Sequence, residues 1–450
     1  MRHKRSIREK LLKGGAWAFG GRLTAMLAGL ASNALLTRLL SPEEMGAYFL
    51  TFSLVSIAAT VAQLGLTQTI VRLVADPMSM DQPGKARRSV VLAFRITAIS
   101  GAIVACALAI GAGGWIARHL FHSSMMSHVM LLASAWVFIV VFQNLISETY
   151  RGFHDIRLAT IFGGLITGIL SMLVFLSLWA IQGHGSLKQI VGISVGVGLS
   201  TVLVSSALLW NMLGKLPRST ESIRIPEILH MTWPIWVTSL TFFVLAQADL
   251  WIMGLFRPPG EVAIYGIAVR MSALLATPLT IVNLVVPPLI SEMHTQGKLK
   301  ELERILRAMA ALSGLPAAII LAAVVFFGST ILKHLFGVHY QAGDLIMIIL
   351  CVGQFVNVWA GSCGMVLMLT GHQMTLMLIT ICTSLITIAL AWSLVSRYGG
   401  AGVAIASGSG MIVQNLLQLF FVHRRAGIWT HASPMQLRYA SAVLWKEVLR

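Results

Sequence analysis

Charge is scarce in this sequence: 11% of its 450 residues are Asp, Glu, Lys or Arg. No polar stretch is long enough to fold as a soluble domain of its own. Acidic residues are scarcer still, 16 against 33 basic ones, for a net charge of +17. The bases fall in short loops and at one terminus rather than on a compact basic face, which argues against a nucleic-acid partner and for membrane orientation. The four cysteines, Cys106, Cys351, Cys363 and Cys382, all lie inside apolar segments without paired ligand spacing. Neither a disulfide framework nor a metal site is indicated, and no cofactor is expected. Also missing is a large loop carrying a nucleophile and a base. Every predicted outer loop is shorter than about fifteen residues, so a membrane polymerase or ligase is disfavoured and the expectation is not an enzyme.

What is present is apolar length. The chain is 57% hydrophobic, with a mean hydropathy of +0.82, and apolar windows longer than 18 residues recur throughout. Hydrocarbon offers no partner to free backbone amides, so such windows satisfy their own hydrogen bonds as helices. The first run, near Gly14 to Leu40, has no small-residue cleavage pattern and reads as a retained helix. Breaks at Gly, Pro and charge clusters place twelve spans near 14–40, 45–74, 89–117, 126–149, 158–182, 188–212, 231–256, 261–291, 303–332, 342–369, 373–396 and 399–422. With both termini inside, 23 basic residues fall on the cytoplasmic side and 6 outside, while Arg22, Arg72, Arg95 and Arg270 lie within helices. Shifting by one span reverses that bias, so the expected topology has both termini in the cytoplasm.

The stretch SPEE, Ser41 to Glu44, is then the short outer turn between the first two helices, with Pro42 ending one and starting the next. A related turn recurs later. Pro42, Glu44 and Tyr48 match Pro259, Glu261 and Tyr265 at an offset of 217 residues, and Gly152 matches Gly371 at 219. This pattern predicts an internal duplication of six helices. Because six is even, the copies enter the membrane in the same direction. The expected fold is an all-α integral membrane protein of about twelve transmembrane helices, in two parallel six-helix lobes around a central cavity. Residues 1–213 would form the N-terminal lobe, 214–230 a cytoplasmic linker with Pro217 and Pro226, 231–422 the C-terminal lobe, and 423–450 an amphipathic cytoplasmic tail.

The opening KGGAWAFGGRLTAMLAGLASNALLTRLLSPEEMGAYFL resembles polysaccharide (O-antigen/exopolysaccharide) flippases of the multidrug/oligosaccharidyl-lipid/polysaccharide superfamily. The resemblance lies in the Gly/Trp/Phe start, the turn from Arg38 to Tyr48, and the Gly65-Leu66 step, with weaker echoes at 151–155 and 398–408. It implies a multi-pass protein of the bacterial inner membrane that carries undecaprenyl-diphosphate-linked oligosaccharide to the periplasmic leaflet by alternating access. Partners would be that lipid-linked substrate, membrane lipids and polysaccharide biosynthesis proteins, with proton or sodium coupling left open. A multidrug or small-molecule exporter is the alternative. Such proton-coupled exporters tend to carry acidic residues in the first helix, and this one has none.

A lipid-linked diphosphate crossing hydrocarbon needs fixed positive charge to replace its hydration and counterions, and arginine supplies it bidentately. Arg22 lies roughly 12 Å into helix 1 at about 1.5 Å per residue, among Gly20, Gly21 and Thr24. It either faces the cavity or snorkels to the inner interface. Arg95 and Arg72 lie on the same side and either extend a basic vestibule or contact anionic lipids. Asp249 on helix 7 and Arg270 on helix 8 are nearly level, so they are expected to pair. That pair is either a permanent staple or a switch, opened by substrate phosphate or by protonation of Asp249.

Overall fold

A computed structural model describes residues 2–217 and 225–433, with side chains described from residue 20 onward except at 22, 225 and 227. Among the described residues the secondary structure is entirely helical, and the protein is a multi-pass membrane protein. Among the described residues, nine helices are long and apolar enough to cross a bilayer, or ten when the bent pair Pro259–Leu275 and Thr277–Thr295 is taken as one span. The difference from twelve has local causes. The last two expected spans run together as Gln373–Ala426, turning at the non-helical Gly399, and the described apolar part of the first helix, Leu23–Leu39, is short. The expected tail falls largely on residues outside the described set.

The chain divides into two compact units, Met1–Gln247 and Ala248–Arg450. In the first, α1 (Arg2–Leu39) leads through Ser41 into α2 (Pro42–Gln63). Ser41 and Glu44 form a capping box, which satisfies two backbone donors at the helix start. α2 ends at Leu64 and Gly65, both in left-handed conformation, before α3 (Leu66–Ser79) resumes. The unit continues with α4 (Pro83–Leu120), α5 (Met130–Gly152), α6 (Ile156–Gln182) and α7 (Leu187–Gly214). Its core joins Leu66, Ile70 and Val74 of α3 to Ala86, Val90 and Phe94 of α4, and Ile146 and Tyr150 of α5 to Leu209 and Leu213 of α7. Their four-residue spacing puts each set on one helix face. Lipid is as apolar as these side chains, so close packing and interhelical hydrogen bonds hold the bundle. Tyr150 Oη donates to Ser205 O at 2.9 Å, and Gln143 Nε2 to Thr167 Oγ1 at 2.9 Å.

The division between units falls within α8 (Ile225–Phe256). The early part of α8 belongs with the first unit because it closes the gap between α2 and α3. Trp236 Nε1 donates to Val61 O at 3.2 Å. Gly65, at φ +74°, lies so near that a Cβ there would sit 2.5 Å from Thr232 O.

The second unit holds the end of α8, then α9 (Pro259–Leu275) and α10 (Thr277–Thr295), bent by 49°. α11 (Leu299–Phe336), α12 (Asp344–Ala360), α13 (Cys363–Leu369) and α14 (Gln373–Ala426) follow. Gly361, at φ +73°, separates α12 from α13. A helix end leaves carbonyls without intrahelical partners, and here they are met from far along the chain. Thr430 Oγ1 donates to Ala360 O at 2.8 Å, and Ala432 N–H to Trp359 O at 2.8 Å. The segment 427–433 thus runs back into the unit as a strap, with Ile428 and Thr430 buried and Trp429 stacked on His423 at 4.1 Å. Arg307 Nη2 donates to His431 Nε2 at 3.3 Å. Arginine has no acceptor, so this His431 is neutral and carries its hydrogen on Nδ1.

Candidate functional site in the membrane-spanning helices

Asp249 lies on α8, seven residues before its end at Phe256. Its carboxylate accepts from Tyr265 Oη of α9 at 2.9 Å through Oδ2, and from the Leu250 N–H at 2.8 Å through Oδ1. Tyr265 is fully buried, and Ser407 of α14 lies within hydrogen-bonding reach of its phenol. Three helices of the second unit therefore meet at one polar node. A neutral phenol holds a carboxylate without cancelling its charge, so the node can bind a cation or take up a proton without first breaking an ion pair.

Tyr265 could have been found by depth. It is six residues into α9 from Pro259, against eleven for Arg270, and so lies closer to the level of Asp249. Matching charge with charge points instead to Arg270. Arg270 is half-buried on α9 and engaged with its surroundings.

The other arginines are placed separately. Arg72 projects from α3, 73% exposed, and pairs with Asp76 one turn on at 3.0 Å. An exposed pair of this kind is worth only a few tenths of a kcal/mol, roughly 0.3–0.5. Arg95 is exposed on α4. Arg22 lies in α1, with its side chain outside the described set. Its neighbour Gly21 is buried against Thr160 and Leu165 of α6, so this stretch of α1 packs tightly.

A second polar group lies around the α12–α13 break. Ser362 Oγ donates to Asn283 Oδ1 at 2.7 Å, and Cys363 Sγ to Gln418 Oε1 at 3.4 Å. Asn283 thereby ties α10 to the break. Among the described residues no group of His, Cys, Asp and Glu is arranged to hold a metal ion.

Comparison with known proteins places this architecture. The profile of the polysaccharide biosynthesis protein family matches residues 11–294, and that of the MatE family residues 234–393. No curated protein matches the chain. Among solved structures, the chain is similar to an inward-facing multidrug resistance MATE family transporter of the MOP superfamily. The TM-score is 0.73 and identity 16%, over 90% of this chain and 94% of that one. It is likewise similar to the lipid II flippase MurJ in an inward closed conformation, at a TM-score of 0.69 and 14% identity, over 94% and 90% of the two chains. With a family profile covering well over half its length, the chain belongs to the polysaccharide biosynthesis protein family, and it shares the helical fold of these transporters.

Proposed function

We propose that this transporter moves lipid-linked oligosaccharide, joined through a diphosphate to a polyprenyl carrier, from the cytoplasmic to the external leaflet by alternating access. The observation that carries the reading is the family match over residues 11–294, which takes in all but the first ten residues of the first unit and continues through α9 and most of α10. In this reading Arg22 and Arg270 receive the diphosphate, with Arg95 and Arg72 forming the approach. Asp249 is the coupling carboxylate for a proton or sodium ion. Positive charge suits a diphosphate, whereas a cation exporter would call for carboxylates along its path.

The test is the leaflet distribution of lipid-linked oligosaccharide in cells lacking the protein, read with a probe confined to the external face. Accumulation on the cytoplasmic leaflet, reversed by the intact gene but not by Arg22→Ala or Arg270→Ala variants that insert normally, is the expected result. Normal external exposure in the absence of any redundant carrier would overturn the reading. The second reading, a MATE-like exporter of small molecules, is favoured by the MatE match over 234–393, which contains Asp249 and Tyr265. It predicts drug sensitivity in the same deletion strain with an unchanged glycan distribution.

A further inference from the structure

The duplicated turn is put to different use in the two units. In the first, both oxygens of Glu44 are committed to the backbone. Oε2 accepts from the Ser41 N–H at 3.1 Å, and Oε1 from the Leu187 N–H at 3.1 Å, at the start of α7. In the second, Glu261 holds the matching position, but the residue matching Ser41 is Pro258. Proline has neither the hydroxyl nor the N–H that a capping box requires, and α9 starts without a side-chain cap. The tie to the final hairpin also has the reverse polarity. Arg257 donates from Nε and Nη2 to Val395 O at 3.1 and 2.8 Å, and from Nη2 to Ser396 O at 3.0 Å. Glu261 is thereby released from structural duty. Its side chain is 42% exposed, and its ionic contact is Arg257 at 3.8 Å.

The released carboxylate lines a cleft of about 350 Å³, shared with Arg257, Tyr398, Ile264, Leu345 and Ile346. Backbone forms part of the wall. Gly399 has φ +55°, and a Cβ on Gly400 would come within 2.8 Å of Ile346 Cδ1. The Tyr398 side chain stands 61% exposed. The volume is at the lower end of the range for ligand pockets, about 300–1,000 Å³. Its chemistry is selective. Arg257 is held by two carbonyls and one carboxylate, so no surplus positive charge recruits an anion. An acyl chain would strip water from Glu261 without replacing its hydrogen bonds. A neutral ligand with hydroxyls on its edge and C–H groups on its face fits both the balanced ion pair and the apolar wall with its aromatic rim.

We infer that this cleft is a carbohydrate subsite for one sugar residue, with hydroxyls donating to Glu261 and the ring face resting against Tyr398 and the Ile264–Leu345–Ile346 wall. The inference deepens the glycan-carrier reading and rests on it for the source of the sugar. The charge bias assigns this end of the helices to the exterior, where a transferred glycan would emerge.

The test is saturation-transfer difference NMR on the full-length protein in nanodiscs, with glucose, galactose, mannose, rhamnose and N-acetylglucosamine as probes. Ring-proton signals are expected from at least one sugar. They should be lost in Tyr398→Ala, which alters an exposed side chain, and in Glu261→Ala, and retained in Glu301→Ala at the far end of α11. Absence of signal from every sugar, or signal that survives both cleft substitutions, overturns the subsite. The leaflet measurement separates the two claims. Normal glycan transfer without sugar binding removes the subsite and leaves the carrier, whereas cleft-dependent sugar binding with a negative leaflet result keeps the site and removes the carrier.

Discussion

Tyr265 donates its phenolic hydrogen to Asp249 at 2.9 Å, joining α8 to α9 inside the second unit. The two ends of this bond predict different things. Tyr265→Phe leaves a carboxylate oxygen without its donor in a buried setting, which costs about 1–3 kcal/mol. It should lower the Tm of the purified protein. Asp249→Asn keeps an acceptor for the phenol but abolishes the charge. Its Tm should stay near wild type while gradient-driven transport in proteoliposomes falls by at least about tenfold, a factor of roughly 1.4 kcal/mol. Unimpaired transport by Asp249→Asn would make the pair a staple and nothing more.

The break between α2 and α3 depends on the absence of a side chain at Gly65. At φ +74° and with Thr232 O at 2.5 Å from a built Cβ, Gly65→Ala is both strained and obstructed. A left-handed non-glycine residue alone costs of order 1–3 kcal/mol. The variant should be destabilised by more than that, and a thermal-shift series including Gly20→Ala, where nothing lies within 4 Å, would separate local obstruction from a general effect of added methyl groups.

The strap offers a direct test of long-range capping. Thr430 is fully buried, and its hydroxyl serves Ala360 O. Thr430→Val preserves shape but removes the donor, so a loss of about 1–3 kcal/mol is expected from the stranded carbonyl. Thr430→Ser should recover most of it. Equal losses in both variants would show that the methyl group, not the hydrogen bond, holds the strap.

Burial and the adjacent Arg307 cation hold His431 below the ordinary imidazole value of 6.5, with Glu303 opposing them. The unfolded chain therefore binds a proton here before the folded one does. The contribution to stability is complete above pH 6.5 and is lost as the pH falls through the depressed folded value. Tm measured from pH 8 to pH 5 should decline on the acid side, and His431→Gln, which cannot titrate, should flatten that decline. Parallel curves for the two proteins would exclude His431 as its source.

Much of this fold is legible in composition because hydrocarbon leaves the backbone few options. Apolar runs of sufficient length become helices, and Pro42 and Pro259 each mark a helix start, one in each unit. The hidden features are those made by distant partners. Nothing local to Gly361 says that its neighbouring carbonyls are met by Thr430 and Ala432, and nothing local to Val61 points to Trp236. Within the site, Asp249 was conspicuous as a carboxylate in an apolar span, whereas Tyr265 passed for a repeat marker. The pairing of Arg72 with Asp76, by contrast, follows from a four-residue spacing visible in the sequence.

The strap also bears on how the protein is made. The donors that complete the end of α12, Thr430 and Ala432, are synthesised long after the carbonyls of Ala360 and Trp359 that they serve. During translation α12 and α13 enter the membrane with an open joint between them, and the joint closes only after the last hairpin has been inserted. Insertion of the second unit is therefore not finished helix by helix. A late segment acts as its fastener, so a chain ending before Thr430 would lack the donors that seal the seam at Gly361.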